Sequence, residues 1–279
     1  MDKKKVLYIS VAAIFLLLLI WTLWSNKALE VNTYCIDSED IPAAFRGFRI
    51  ALVSDLHNDE MGKDNEKLLT ALEEIRPNMI AITGDLIDSR DTDVEIALDF
   101  VREAVKIAPC YYVSGNHEAR VLEYGQLKEG LEELDVTLLE DAEIKLEREG
   151  EIISVIGVDD PSFETDYLFG DSGEVIHRKL QNLAQGEEFT VLLSHRPELL
   201  EVYAAYSIDL VLSGHAHGGQ FRLPFVGGLF APNQGLFPKY DAGLYKEGST
   251  HMIVSRGVGN SLIPLRFNNR PEVILVELQ

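Results

Sequence analysis

Side chains that can bind metal ions follow five apolar segments of this sequence. The segments end, in chain order, in Asp55 and His57, in Asp85, in Asn116, in His195, and in His215 and His217. An Asp-x-His triplet or a Gly-Asp pair alone is weak evidence, because such residues are common in turns. With His117, which follows Asn116, five of the seven histidines in the chain lie at these segment ends, and ordinary loop chemistry explains that arrangement poorly.

The donor set predicts a centre for two divalent cations. Carboxylate oxygens mixed with imidazoles suit manganese, iron or zinc rather than copper or an iron–sulfur cluster. One carboxylate that bridges two cations lets them lie about 3.5–4 Å apart, which is the geometry of two-metal hydrolysis. The most specific segment contains His215 and His217, because imidazoles at i and i+2 can reach adjacent metals and the flanking glycines let the backbone approach closely.

The elements that must position these residues alternate along the chain of 279 residues, a length suited to one large α/β domain. Amphipathic spacing predicts helices over 64–75, 94–107 and 121–134. Strands are predicted at 49–53, 79–83, 110–113, 152–157, 190–193, 210–212, 252–254 and 273–277, and most of these runs are continuously apolar, as in strands buried on both faces. An edge strand is expected at 31–36. Ligands bind beyond the carboxyl ends of strands in such sheets, so the five segments should meet at one site.

These segments resemble the signature of the calcineurin-like metallophosphoesterases, and the resemblance covers about residues 48–279. The motifs that carry it are Asp55-x-His57, Gly84-Asp85, Gly115-Asn116-His117-Glu118, His195 and Gly214-His215-Ala216-His217. Further segments, such as Gly218-Gly219-Gln220 and Arg270-Pro271-Glu272, resemble a membrane-associated bacterial branch. That branch includes exported phosphoesterases and proteins similar to UDP-2,3-diacylglucosamine hydrolase.

The resemblance implies a fold, a ligand set and a reaction. The implied fold is a four-layer α/β/β/α sandwich of two mixed sheets, preceded here by one N-terminal transmembrane helix. The first metal ion would be bound by Asp55, His57, Asp85 and His217, and the second by Asp85, Asn116, His195 and His215, with Asp85 bridging. A hydroxide between the metals would attack the phosphate ester. His117 would stabilise the transition state or protonate the leaving group.

The N-terminal segment predicts an uncleaved membrane anchor. An uncharged apolar run over residues 6–24 is long enough to span a bilayer. A cleaved signal peptide is the rival, but it needs small residues where this chain has Trp21 and Trp24. Lysines at positions 3, 4 and 5 precede the run and only Lys27 closely follows it, so the domain after it should face away from the cytoplasm. We therefore expect an anchor over 1–27, a linker with an edge strand over 28–47, and a metallophosphoesterase domain over 48–279.

The formal net charge of -21 disfavours nucleic acid as a partner, because phosphate backbones are repelled by such a surface. Bound cations can reverse the local field, so a phosphate-ester substrate remains compatible with this charge. Cys35 and Cys110 are too few for a disulfide scaffold. Cys110 is expected to be buried, and a bridge between the two cysteines stays open.

The resulting hypothesis is a membrane-anchored phosphoesterase that hydrolyses a phosphodiester or a pyrophosphate bond, with a lipid-linked substrate as one option. Two alternatives stay open: a phosphomonoesterase of the protein-phosphatase kind, and a non-catalytic metal-binding scaffold. Glu118 is expected to support the site rather than bind metal. Asp59 and Asp88 are expected to be solvated, and Phe221–Phe237 is expected to be a loop.

Overall fold

The computed structural model describes residues 2–164, 171–184, 186–260 and 263–279. The helices in these ranges are α1 (Lys3–Ser25), α2 (Glu66–Ile75), α3 (Val94–Ala104), α4 (Tyr124–Glu133), α5 (Ser172–Leu183) and α6 (Leu200–Ala205). The strands are β1 (Glu30–Ile36), β2 (Arg49–Val53), β3 (Met79–Thr83), β4 (Cys110–Val113), β5 (Thr137–Leu138), β6 (Ala142–Arg148), β7 (Glu151–Gly157), β8 (Thr190–Leu193), β9 (Leu210–Ser213), β10 (Arg222–Leu223), β11 (Gly227–Gly228), β12 (Phe230–Ala231), β13 (Gly235–Leu236), β14 (Gly243–Glu247), β15 (Thr250–Val254) and β16 (Glu272–Leu278).

Two six-stranded mixed sheets form the centre of the described structure. The first has the strand order β1-β16-β2-β3-β4-β5, and the second has the order β14-β15-β9-β8-β7-β6. Strands β2, β3 and β4 are parallel neighbours, and β8 is parallel to β9. The carboxyl ends of neighbouring parallel strands therefore meet at one edge of each sheet.

Three apolar layers hold the sheets and helices together. Helices α2, α3 and α4 pack on the outer face of the first sheet, and helices α5 and α6 pack on the outer face of the second. Side chains such as Ile50, Leu52, Val191 and Leu212 fill the space between the two sheets. The strands are apolar on both faces because each sheet is covered on both sides. This arrangement confirms the predicted α/β/β/α sandwich.

The predicted strands are confirmed, several of them with bounds that differ by one or two residues. The predicted helices are shorter in the structure, since α3 ends at Ala104 and α4 begins only at Tyr124. The expectation of a loop over 221–237 is wrong in part, because β10 to β13 form two small antiparallel hairpins there. Cys35 and Cys110 are both free, so no bridge joins them.

Helix α1 leaves the domain with its apolar side chains exposed, and it is long and apolar enough to cross a membrane. The end of the helix nevertheless contacts the segment that precedes β16. The side chain of Asn26, which caps the helix, exchanges two hydrogen bonds of 2.7 Å with the backbone of Arg266. The guanidinium of Arg270 lies 5.3 Å from the centre of the Trp24 ring. These contacts fix the end of α1 against the domain.

Candidate metal centre

The loops after β2, β3, β4, β8 and β9 converge at one place, as the strand ends predict. Backbone hydrogen bonds join the loops directly: the Asp55 N–H donates to the Gly84 carbonyl, and the His57 N–H donates to the Asp85 carbonyl, both at 3.0 Å. The carboxylate of Asp85 accepts the N–H of His117 at 2.8 Å. Backbone hydrogen bonds therefore hold the loops of the site together, and the side chains of the site are buried.

Several side chains of the site project from backbone in the left-handed region. Asp55, His57, Asp85, His215 and His217 have φ values of 54°, 49°, 52°, 66° and 48°. Such values are uncommon for residues other than glycine, and they concentrate at functional sites, where the surrounding structure supports the strain.

Two glycines allow the close approach of these loops. Gly84 has a φ of 86°, and a Cβ placed on it would lie 2.4 Å from the backbone nitrogen of Gly115. A Cβ on Gly214 would lie 1.9 Å from Oγ of Ser54. Neither position has room for a side chain.

The first group of ligand atoms lies between the loops after β2 and β9. Nε2 of His57 lies 3.1 Å from Nε2 of His217, and Nε2 of His217 lies 3.3 Å from Oδ1 of Asp55. Oδ2 of Asp85 lies 3.6 Å from Nε2 of His57. Two imidazole nitrogens and two carboxylates that face one another at such distances are a suitable donor set for one divalent cation.

The second group shows which ring nitrogens are free to bind a cation. Nδ1 of His195 lies 2.7 Å from the Thr83 carbonyl, which can only accept, so this nitrogen carries the proton. In the neutral ring Nε2 therefore presents a lone pair, and it lies 3.2 Å from Oδ2 of Asp85 and 3.1 Å from Nδ1 of His215. Asp85 thus contacts a histidine of each group through the same oxygen, as a bridging ligand would.

Asn116 supplies a further donor beside these groups. Its Oδ1 is buried and makes no hydrogen bond within the part of the chain that the structure describes. A buried amide oxygen without a partner is unfavourable unless a ligand contacts it. The structure therefore brings the seven sequence-predicted ligands together in one site, and their chemistry fits two divalent cations.

An adjacent polar network, which the sequence reasoning missed, orients His215. The buried Arg196 donates through Nε and Nη2 to the carboxylate of Asp160, at 2.5 and 2.9 Å, and through Nη1 to Oδ1 of Asn233, at 2.8 Å. A guanidinium only donates, so the oxygen of Asn233 must face it. The same oxygen lies 2.9 Å from Nε2 of His215, nearer than Nη1 of Arg196 at 3.3 Å, and this shorter contact favours the tautomer with the proton on Nε2. In that tautomer Nδ1 of His215 is free to bind a cation.

His117 lies beside His57 and Asp85, with its ring centre 4.5 Å from that of His57, and a backbone contact defines which ring nitrogen carries its proton. The N–H of Ser89 donates to Nδ1 of His117 at 3.0 Å, so a neutral ring carries its proton on Nε2. That nitrogen faces the site, 4.0 Å from Oδ2 of Asp85. Burial lowers the pKa of His117 to about 4, so the ring is neutral at pH 7.

The carboxylates and imidazoles of the site shift one another's pKa values. Burial alone would raise the pKa of Asp85, but His195 and His117 hold that pKa well below its usual range. Burial opposes the charged form of His195, yet Asp85 raises the pKa of this histidine to about 10. A cation that binds at His195 therefore displaces a proton.

Glu118 supports the site, in agreement with the sequence. It is fully buried, and its carboxylate accepts the backbone N–H groups of Gly115, Asp85 and Ile87 at 2.7, 2.9 and 3.3 Å. It thereby joins the loops after β3 and β4.

The expectation that Asp88 is solvated is wrong. Asp88 is buried, pairs with Arg90, and lies 3.6 Å from Nδ1 of His117 and 4.0 Å from Nδ1 of His57. Asp88 is buried because the chain stays close to the site after Asp85. The local sequence composition does not reveal this path. Asp59 is half-buried, and its carboxylate accepts the N–H of Asn260 at 2.6 Å, so the expectation of a solvated residue holds for it only in part.

Comparison with known proteins agrees with this geometry. Residues 48–219 match the family model described as calcineurin-like phosphoesterase. The chain belongs to this family. It is 30% identical to "Phosphodiesterase YaeI" of Escherichia coli, over 83% of this chain and 82% of that protein. The family and the clustered acidic and histidine side chains identify the protein as a metal-dependent phosphoester hydrolase.

Two further likenesses concern the membrane and the fold. The chain is 27% identical to "Transmembrane protein with metallophosphoesterase domain" of Danio rerio, over 91% of this chain and 57% of that protein. A crystal structure of TT1561 of Thermus thermophilus shares the fold, with a TM-score of 0.50 at 14% identity, over 75% of this chain and 89% of that one. Together with α1, the transmembrane relative indicates that the protein is associated with a membrane.

Proposed function

We propose that this protein hydrolyses a phosphodiester or pyrophosphate bond at a centre of two divalent cations, manganese, iron or zinc. The observation that supports it best is the position of Asp85, whose Oδ2 lies within 3.6 Å of His57 and 3.2 Å of His195. Asp55, His57, Asp85 and His217 would hold one cation, and Asp85, Asn116, His195 and His215 would hold the other. When bound, such cations lower the pKa of a water held between them and neutralise phosphoryl oxygens.

The chain's own residues would orient and protonate the substrate. His117 carries its proton on Nε2, which faces the site, so it can donate a hydrogen bond to a phosphoryl oxygen or a proton to the leaving oxygen. Glu118 holds the loops that present Asp85 and Asn116, and Arg196 with Asn233 fixes the tautomer of His215. A relative named as a phosphodiesterase favours a diester over a monoester.

The membrane helix supports two further parts of the proposal. We also propose that residues 48–279 form the catalytic domain and that it lies on the extracytoplasmic side, because Lys3, Lys4 and Lys5 precede α1. An enzyme held at a bilayer surface suits a lipid-linked phosphate ester. Cleavage of the domain by protease added outside intact cells would support this orientation, and protection in intact cells with cleavage after lysis would contradict it.

The test of the reaction uses the full chain in phosphatidylcholine nanodiscs with manganese. We expect bis(p-nitrophenyl) phosphate to be hydrolysed faster than p-nitrophenyl phosphate. His217→Ala should abolish turnover, whereas His251→Ala, a half-exposed histidine on β15, should keep it. Preference for the monoester would favour a phosphomonoesterase instead. Turnover of neither ester with manganese bound would favour a scaffold, and undiminished turnover by His217→Ala would refute the site.

A further inference from the structure

An apolar groove of about 310 Å³ lies directly beside the candidate metal centre. His217 forms part of its lining, together with Phe221, Leu229, Phe230, Leu236 and Ile263. The amide nitrogen of Gln220, which also lines the groove, donates to the carbonyls of Ile263 and Leu265 at 2.7 and 2.8 Å. Because the amide nitrogen of Gln220 already has hydrogen-bond partners, the groove offers mainly apolar surface. It is therefore suited to an apolar occupant that reaches the metal centre.

The rim of the groove exposes large apolar side chains. Phe230, Leu236 and Ile263 are 47%, 68% and 45% exposed, and Phe237, which follows Leu236 in the chain, is exposed as well. Exposed apolar side chains around a groove are typical of a site that contacts a membrane, a ligand or a partner.

The groove is also tied to the end of the candidate membrane helix. Ile263 in its wall lies three residues before Arg266, whose backbone exchanges two hydrogen bonds of 2.7 Å with Asn26 at the end of α1. Arg266 is buried and donates through Nη1 to the carbonyl of Arg256 at 2.7 Å and through Nη2 to the carbonyl of Gly259. The wall is therefore fixed relative to α1, and a bilayer that contains α1 begins close to this wall.

We infer that the groove holds the acyl chain of a membrane lipid whose phosphate group lies at the metal centre. This inference rests on the proposed function and names its substrate class. An acyl chain fits better than a protein partner for two reasons: the groove is continuous with the metal centre through His217, and it adjoins the end of the helix that would enter the bilayer. The exposed Leu236 and Phe237 would then contact the lipid surface beside the groove.

The experiment uses alkyl p-nitrophenyl phosphodiesters with methyl, butyl and octyl chains, and the full chain in phosphatidylcholine nanodiscs with manganese. Each methylene that enters the groove should raise kcat/KM by about fourfold. The double variant Leu236→Gln with Ile263→Gln places polar groups on the rim without opening the core. It should keep the methyl-ester rate and lower the ratio of octyl to methyl rates by about tenfold. Partition of long chains into the nanodisc affects wild type and variant equally.

Leu244→Gln is the matched control, since Leu244 is a half-exposed leucine on β14 that does not line the groove. It should keep the wild-type ratio. An unchanged octyl-to-methyl ratio in the double variant, with the methyl ester still hydrolysed, would overturn the inference and leave the proposed function intact.

Binding of octylphosphonate and methylphosphonate, measured by calorimetry, separates the two proposals. If no ester is hydrolysed, but octylphosphonate binds tighter than methylphosphonate and the double variant removes this difference, the groove stands and the proposed hydrolysis fails. Equal affinities for the two phosphonates would refute the groove whatever the turnover.

Discussion

Removing the side chain of Asn233 should weaken metal binding at His215 although Asn233 is not itself a candidate ligand. Its Oδ1 accepts from Nε2 of His215 at 2.9 Å and from Nη1 of Arg196 at 2.8 Å. Asn233 has a φ of 58°, so Asn233→Gly deletes the side chain without adding backbone strain. The variant leaves His215 without the acceptor that fixes its tautomer and ring orientation.

The expected loss of metal affinity depends on the contacts that remain around His215. Loss of a hydrogen bond behind a metal-binding histidine reduces metal affinity by about 10- to 100-fold. Asn233 lies at the surface, where water can replace part of its contact, and Nη1 of Arg196 still lies 3.4 Å from Glu198. We therefore expect the lower limit, a loss of about tenfold in affinity for one manganese ion, or about 1.4 kcal/mol.

The assay is calorimetric titration of the metal-free full chain with manganese. Asn233→Asp keeps an acceptor oxygen and should bind within about threefold of wild type. Gln234→Ala is the matched control in the same hairpin, because Gln234 bonds the backbone of Tyr240 instead of the site. Manganese affinity in Asn233→Gly equal to wild type, or lowered no more than in Gln234→Ala, would refute the reasoning.

Two further predictions concern protonation. His117→Asn should lower kcat by about 10²- to 10⁴-fold while manganese affinity stays near wild type, because Nε2 of His117 faces the site; equal losses in kcat and in metal affinity would show a structural role instead. Burial raises the pKa of Asp159 to about 6, so the folded protein favours the protonated form of this carboxyl. The resulting stabilisation of the fold is fully present below pH 4 and is lost as the pH rises through 6. Asp159→Asn should therefore unfold about 5 °C higher than wild type at pH 8, equivalent to about 2 kcal/mol, and at the same temperature at pH 4. Thermal melts at the two pH values check this, and a stabilisation that is equal at both would contradict it.

Much of the fold follows from the sequence because most strands are covered on both faces and so read as unbroken apolar runs. Strand β6 lacks that signal. It lies at the edge of the second sheet and alternates half-buried with exposed residues, from Ala142 to Arg148, so its composition resembles a polar loop. The hairpins within 221–237 are missed for a related reason, since two-residue strands carry no periodicity.

The candidate ligands could be selected from the sequence because each follows a strand, whereas the residues that contact them from outside the site could not. Arg196, Asp160 and Asn233 lie tens of residues apart in the chain and meet only through the fold. Sequence patterns also do not reveal tautomers. The proton positions on His195 and His215 depend on the Thr83 carbonyl and on the amide of Asn233, which only the structure identifies.

The most direct test of the account measures manganese stoichiometry and magnetic coupling in the full chain. Because Asp85 contacts a histidine of each group, we expect two manganese ions per chain and an electron paramagnetic resonance spectrum of an exchange-coupled pair. Asp85→Asn should lose the coupling and bind at most one ion tightly, while Asp59→Asn, outside both groups, should keep the coupled pair. One uncoupled ion in wild type, or an unaltered coupled pair in Asp85→Asn, would contradict a centre bridged by Asp85.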